Sequence, residues 1–229
     1  MEAFSDGVIA ILITIMVLEL GVPHGTDLAA LAPSAPILLA YVLSFINLGI
    51  YWNNHHHLLQ AAHHVDGRIL WANLHLLFWL SLVPFATAWI GENGFAAIPM
   101  AAYGVILLMA ALAYGLLVRT LIRREGREST IAIAIGRDVK GLISPLAYLL
   151  AIPVALVLPL AAFAIFIGVA LLWFVPDMRI ERQMPHEPHA EGHAGEGHAG
   201  EGHAGEGHAG EGHTAEGHTA EGHAEAPRD

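Results

Sequence analysis

Cysteine is absent from the 229 residues, so the chain can build neither a disulfide framework nor a thiolate metal site, and thiol usage assigns it to no redox compartment. Charge is scarce as well: 14% of residues are Asp, Glu, Lys or Arg against 55% hydrophobic, well above the apolar share of an ordinary soluble domain. The formal charge of −11 belongs to one end. Twelve acids lie from Asp177 onward against three arginines, an excess of nine, which leaves −2 for everything before it. With no basic stripe to neutralise phosphates, nucleic acid is not an expected partner. No basic leader precedes the first apolar run and no small-x-small cleavage pattern follows it, so that run is expected to be retained rather than removed as a signal.

What is present is a series of long apolar segments. No charge occurs between Gly7 and Leu18, and a helix from Ser5 to Pro23 would be roughly 28 Å long, close to the ~30 Å hydrocarbon thickness of a bilayer. Ile37 to Leu59 predicts a second span, Ile69 to Ile90 a third with Pro84 near its outer end, and Phe95 to Leu121 a fourth. The apolar stretch from Gly141 to Val175 has room for two short spans with a turn near Pro159; a fifth span starting earlier, near Ile131, is the alternative. Arg68 separates spans two and three. Arg119, Arg123, Arg124, Arg127, Arg137 and Lys140 separate four and five, and Arg179 and Arg182 follow six, while the other three connections carry no Lys or Arg. Excess positive charge marks the cytoplasmic side, so both termini are expected there and the span count is even. The expectation is an all-α membrane protein with a six-span domain over residues 1–176 and a separate tail over 177–229.

The tail repeats Gly-His-Ala-Gly-Glu and then Gly-His-Thr-Ala-Glu, with histidine at His193, His198, His203, His208, His213, His218 and His223. A period of five fits neither helix nor strand and offers nothing apolar to bury, so a disordered tail is expected. Imidazole beside carboxylate could hold zinc or nickel loosely, because those ions suit the donors but a flexible chain does not fix their geometry.

Placed at ~100° per residue, Ile11, Ile15 and Leu18 form one aliphatic stripe of the first span with Thr14 at its flank, whereas Ser5 and Asp6 point about 120–140° away. The stripe reads equally as a packing seam, and Ser5-Asp6 equally as an N-cap. Topology favours more for the polar pair. The second span carries Ser44, Asn47, Tyr51, Asn54 and His55 at helical spacing, with Trp52 and His56 on adjoining faces, and the third carries Asn73 in its first turns. Asn54, His55, His56 and Asn73 share the depth of Ser5 and Asp6, so an interhelical hydrogen-bond cluster is expected, since polar groups inside a membrane must be satisfied within the protein.

Phe4-Ser5-Asp6 opening the first span, Tyr51-Trp52-Asn53-Asn54-His55-His56-His57 closing the second, Asn73 in the third and Pro84-Phe85 near its end resemble the prokaryotic members of the transmembrane protein 175 family, the endolysosomal potassium channels and their bacterial and archaeal relatives. The resemblance covers roughly residues 1–176. It implies a homotetramer in a prokaryotic plasma membrane, each subunit lending its first helix to a central pore for potassium and other monovalent cations, with no cofactor. It places an apolar constriction on Ile11, with Ile15 and Leu18 further outward and Thr14 as a hydroxyl layer, in the absence of any Thr-Val-Gly-Tyr-Gly filter. It implies too that Phe4, Ser5 and Asp6 hold the first helix against Trp52, Asn54, His55, His56 and Asn73. The family's arginine four residues before the phenylalanine would fall ahead of Met1. Glu19, Asp27 and Glu92, with no Lys or Arg near them in sequence, would make the outer mouth negative and concentrate cations. The rival reading is a divalent transition-metal transporter or metal buffer built on the histidines. No nucleophile and base stand at a recognisable spacing, so an enzyme is not expected.

Overall fold

The structure, a computed structural model, describes residues 1–62, 64–126, 129, 132–133 and 139–174. The tail repeat with its histidines, and most of the connection between spans four and five, lie outside the described residues. The elements are α1 (Glu2–Leu18), a 3-10 segment (Leu28–Ser34) leading into α2 (Ala35–Gln60), α3 (Gly67–Ser81), α4 (Val83–Glu92), α5 (Ala97–Glu125), α6 (Val139–Val157) and α7 (Pro159–Phe174), with no strand among the described residues. Among the described residues, four paths are long and apolar enough to cross a membrane: Leu28–Gln60, Gly67–Glu92, Ala97–Glu125 and Lys140–Val157. The helices α1, of 17 residues, and α7, of 16, are shorter, about 24–26 Å each.

Local chemistry sets the ends. Asp66 caps α3, its carboxylate accepting from the amides of Arg68 and Ile69 at 3.0 Å each. Pro36 and Pro84 occupy the first turns of α2 and α4, where a missing N–H costs nothing. The third predicted span is broken where Pro84 lacks the amide an uninterrupted helix would need; Leu82 ends α3 and α4 restarts with the Ala86 amide donating to the Leu82 carbonyl at 3.1 Å. The turn expected at Pro159 is present and minimal, since only Leu158 lies between α6 and α7. In the α4–α5 turn Gly94 adopts φ +57°, a backbone conformation that glycine takes without steric cost.

Helix α5 is the centre, packing against α3, α4, α6 and α7, while α1 lies against α2, α3 and α4. Lipid is as apolar as leucine, so helices in a bilayer associate through close packing and hydrogen bonds rather than by escaping water. The packing is correspondingly tight. Ala110 and Ala113 of α5, Ala151 and Ala155 of α6 and Ala162 of α7 are wholly buried, small side chains that let backbones approach. Gly91 of α4 is an extreme: a Cβ there would stand 2.5 Å from Cβ and 2.6 Å from Cα of Ile37 in α2. Tyr103 and Phe166 fill the space between α5 and α7, with ring centroids 5.4 Å apart, edge to face.

Candidate functional site

Helix α1 is two-faced. Ser5, Ile9, Leu12 and Met16 recur at intervals of four, three and four residues and are buried against the bundle. On the opposite side Ile11 is 57%, Ile15 42% and Leu18 78% exposed, and Thr14 is exposed with them. The stripe expected from helical spacing is therefore the face that this chain leaves uncovered. The Thr14 hydroxyl lies within reach of the carbonyls of Ala10 and Ile11, at 3.0 and 2.9 Å, so its proton is used within the helix and its oxygen remains an acceptor at the surface.

At the N-terminal end α1 begins at Glu2, so Ser5 and Asp6 lie inside the helix rather than at its cap. Ser5 Oγ donates to the Met1 carbonyl at 3.2 Å and accepts from Asn73 Nδ2 at 2.9 Å, and Asn73 Oδ1 faces His55 Nε2 at 2.6 Å. The carbonyl can only accept, which orients the whole chain: Asn73 presents its oxygen to His55, and His55 carries its proton on Nε2. Ser5, His55 and Asn73 are all essentially inaccessible, so three helices meet at one buried polar bridge, in which His55 Nδ1 alone has no hydrogen-bond partner.

Beside it, His56 Nδ1 lies 3.1 Å from Glu2 Oε1 and 3.5 Å from Asp6 Oδ2, and Trp52 stacks on the imidazole with centroids 5.6 Å apart. Phe4 is 59% exposed and lies on the uncovered side. Asn54 departs from the expected cluster. Its amide donates to the Ile50 carbonyl and its own carbonyl accepts from Tyr114 on α5, because it sits on the flank of α2 turned away from α1. Glu2 escaped the sequence reading, although its i, i+4 relation to Asp6 puts both carboxylates on one face of α1 and could have shown it.

A second polar bridge lies nearer the middle of the bundle. Ser44 Oγ is 2.7 Å from Thr87 Oγ1 and 3.0 Å from the Tyr103 hydroxyl, and Asn47 Nδ2 donates to Tyr103 at 3.4 Å. Ser44 and Asn47 stood in the polar stripe read from sequence, but their partners on α4 and α5 did not. A lone hydroxyl within each apolar run was the available signal. Glu19, Asp27 and Glu92 are exposed, at the exit of α1, ahead of α2 and at the end of α4. Asp27 also caps the 3-10 segment, accepting from the Ala30 amide at 3.2 Å.

Apolar helices of bilayer length, joined by buried polar bridges and exposing aliphatic side chains from α1, α2, α3, α5, α6 and α7, define an integral membrane protein. Residues 1–84 match the family described as "Endosomal/lysosomal potassium channel TMEM175". A protein named potassium channel from Chryseobacterium sp. (strain P1-3) is 54% identical over 184 residues, 80% of this chain and 96% of that one. Another of that name from Streptomyces collinus (strain DSM 40733 / Tue 365) is 36% identical over 121 residues, 49% of this chain and 59% of its own length. Among solved structures, the lysosomal potassium-selective channel TMEM175 homolog from Chamaesiphon minutus aligns with TM-score 0.66 and 27% identity over 76% of this chain and 94% of that one. The chain belongs to the TMEM175 family, whose members are ion channels and not enzymes.

Proposed function

We propose that this chain forms a potassium-permeable cation channel in a prokaryotic plasma membrane, as a homotetramer in which α1 from each subunit lines a central pore and both termini are cytoplasmic. One observation carries the reading: the face of α1 bearing Ile11, Thr14, Ile15 and Leu18 is left uncovered by the rest of the chain, directly opposite the face that packs. Four copies of that face enclose an apolar constriction. Ile11 sets the barrier, because a hydrated cation passing a narrow aliphatic ring must shed water with no ligand in exchange, and modest widening restores the water column. The Thr14 oxygens provide a layer of acceptors, and Glu19, Asp27 and Glu92 draw cations to the outer mouth. Phe4, Ser5, Asp6, Trp52, His55, His56 and Asn73 hold the pore helix to its neighbours. Residues 1–176 form the channel and 177–229 an accessory tail.

The test is flux of potassium against sodium through the purified protein in liposomes, with and without residues 186–229. Potassium-favouring flux that survives the deletion supports the channel. Absence of monovalent flux with tail-dependent uptake of zinc or nickel replaces it by the transporter.

A further inference from the structure

Among the described residues, Glu2, Asp6 and His56 are a group of three whose donor atoms all lie within 4.8 Å of one another. We infer that they form a binding site for one divalent transition cation, of the zinc, cobalt or nickel class, that clamps the start of α1 to the end of α2.

The three residues come from two helices and converge without bonding to each other. His56 Nδ1 lies 3.1 Å from Glu2 Oε1 and 3.5 Å from Asp6 Oδ2, yet neither contact has hydrogen-bond geometry, and both His56 Nδ1 and Asp6 Oδ1 are buried atoms with no hydrogen-bond partner. Buried polar atoms are normally paired, so an unpartnered His56 Nδ1 lying between the Glu2 and Asp6 carboxylates leaves a position for a ligand. The separations suit a cation. In a tetrahedral site with metal–ligand bonds of about 2.0–2.2 Å, adjacent ligand atoms stand about 3.3–3.6 Å apart. The imidazole is already aimed: Gln60 Nε2 is 3.0 Å from His56 Nε2, and the Trp52 indole stacks on the ring at 26° between planes. With a cation on Nδ1 the proton moves to Nε2, and rotation of the Gln60 amide presents its oxygen as the acceptor, the outer support that ligating histidines usually have.

Donor chemistry chooses the ion class. Two carboxylate oxygens with one imidazole nitrogen suit borderline divalent ions, whereas calcium and magnesium favour all-oxygen sets. The two carboxylates match the 2+ charge, and a fourth position stays open to water. Occupancy joins α1 to α2 beside the Ser5–Asn73 bridge. If α1 lines a pore, as proposed above, the same ion also biases the orientation of the lining face, but binding itself does not rest on that reading.

The experiment is thermal unfolding of the full chain in detergent with and without micromolar Zn2+, alongside Co2+ absorption spectroscopy. The nine histidines from His186 onward are common to the native chain and every variant, so the difference between native and variant shifts isolates the clamp. Because a ligand of the folded state stabilises it by mass action, Zn2+ should raise the melting temperature of the native chain by several degrees. The concentration needed should rise about tenfold or more in Glu2→Gln, Asp6→Asn and His56→Gln, each compared with and without metal so that its own stability cancels. One ligand-field Co2+ signal per chain should vanish in the same variants. Should Asp6→Asn not fold, Glu2→Gln and His56→Gln decide. An equal shift in native and variant proteins, or no shift in the native chain, overturns the site. No flux is measured, so failure here is separate from failure of the channel reading.

Discussion

Replacing Asn73 by leucine removes the link that joins α1, α2 and α3 at the inner end, at nearly constant volume. His55 Nε2, inaccessible and bonded only to Asn73 among the contacts described, is left with an unsatisfied donor, which costs about 1–3 kcal/mol. Ser5 suffers less, because its hydroxyl still donates to the Met1 carbonyl; losing the incoming bond from Asn73 is worth roughly 0.6 kcal/mol by the average for interhelical bonds in membrane proteins. The sum is about 2–4 kcal/mol. The sharper expectation lies in the double variant. With His55→Leu added, the orphan donor disappears along with its lost acceptor, so the pair should cost about 1–3 kcal/mol less than the two single losses added together. Reversible unfolding in detergent followed by circular dichroism gives the energies, and size-exclusion chromatography follows assembly. A cost below about 0.5 kcal/mol for Asn73→Leu, or additive single and double losses, would refute the bridge as an energetic element.

Ile11→Asn should raise conductance and weaken potassium-over-sodium discrimination in planar bilayers, since a polar ring wets a constriction that isoleucine keeps dry; unchanged currents would remove Ile11 from the pore. Gly91→Ala inserts a methyl at 2.5–2.6 Å from Ile37, so α4 must move off α2, at about 1–3 kcal/mol by thermal melting; a neutral result would mean the two helices separate freely. Thr87→Val keeps shape but removes the hydroxyl between Ser44 and the Val83 carbonyl, and should cost about 0.5–1.5 kcal/mol, less than Asn73→Leu because Ser44 retains Tyr103. Glu19→Gln with Glu92→Gln should lower conductance at low ionic strength and leave it nearly unchanged near 1 M salt, where charges are screened within about 3 Å; an equal loss at both salts would point to folding rather than attraction.

Much of this fold was legible because a bilayer imposes length and apolarity together. The boundaries read at Ile37 and Leu59 fall inside α2 and that at Leu121 inside α5 by a few residues, since lipid solvates the core of a helix and not its ends, while Phe95 lies two residues ahead of α5. The third span was read as one helix because hydropathy is continuous through Leu82; only the proline's missing amide divides it. Angular spacing separated the two faces of α1 but did not say which of them is buried. Ser5, His55 and Asn73 were brought together by depth, which topology supplies. Depth does not supply azimuth, and that is why Asn54, at the right level but on another flank of α2, was placed with the wrong neighbours. Glu2 was passed over because a carboxylate beside a chain start reads as solvated, and only a second helix arriving at the same point gives it company. Thr87 and Tyr103 are single polar residues in apolar runs, whose partners become visible only once helices are packed.

The strong directional bonds from α1 to its neighbours fall in its first two turns, at Ser5, with Asp6 and Glu2 beside it; further along, from Ile9 to Met16, the helix is held by apolar packing and one long hydroxyl–sulfur contact of 3.9 Å. Dispersion tolerates a rotated helix far better than a hydrogen bond does. A slip of one residue at Ser5 would turn the entire cylinder by about 100° and carry a methionine or leucine to where Ile11 now points. The buried end thus works as an index mark, aligning an oily surface two turns away that has no means of aligning itself.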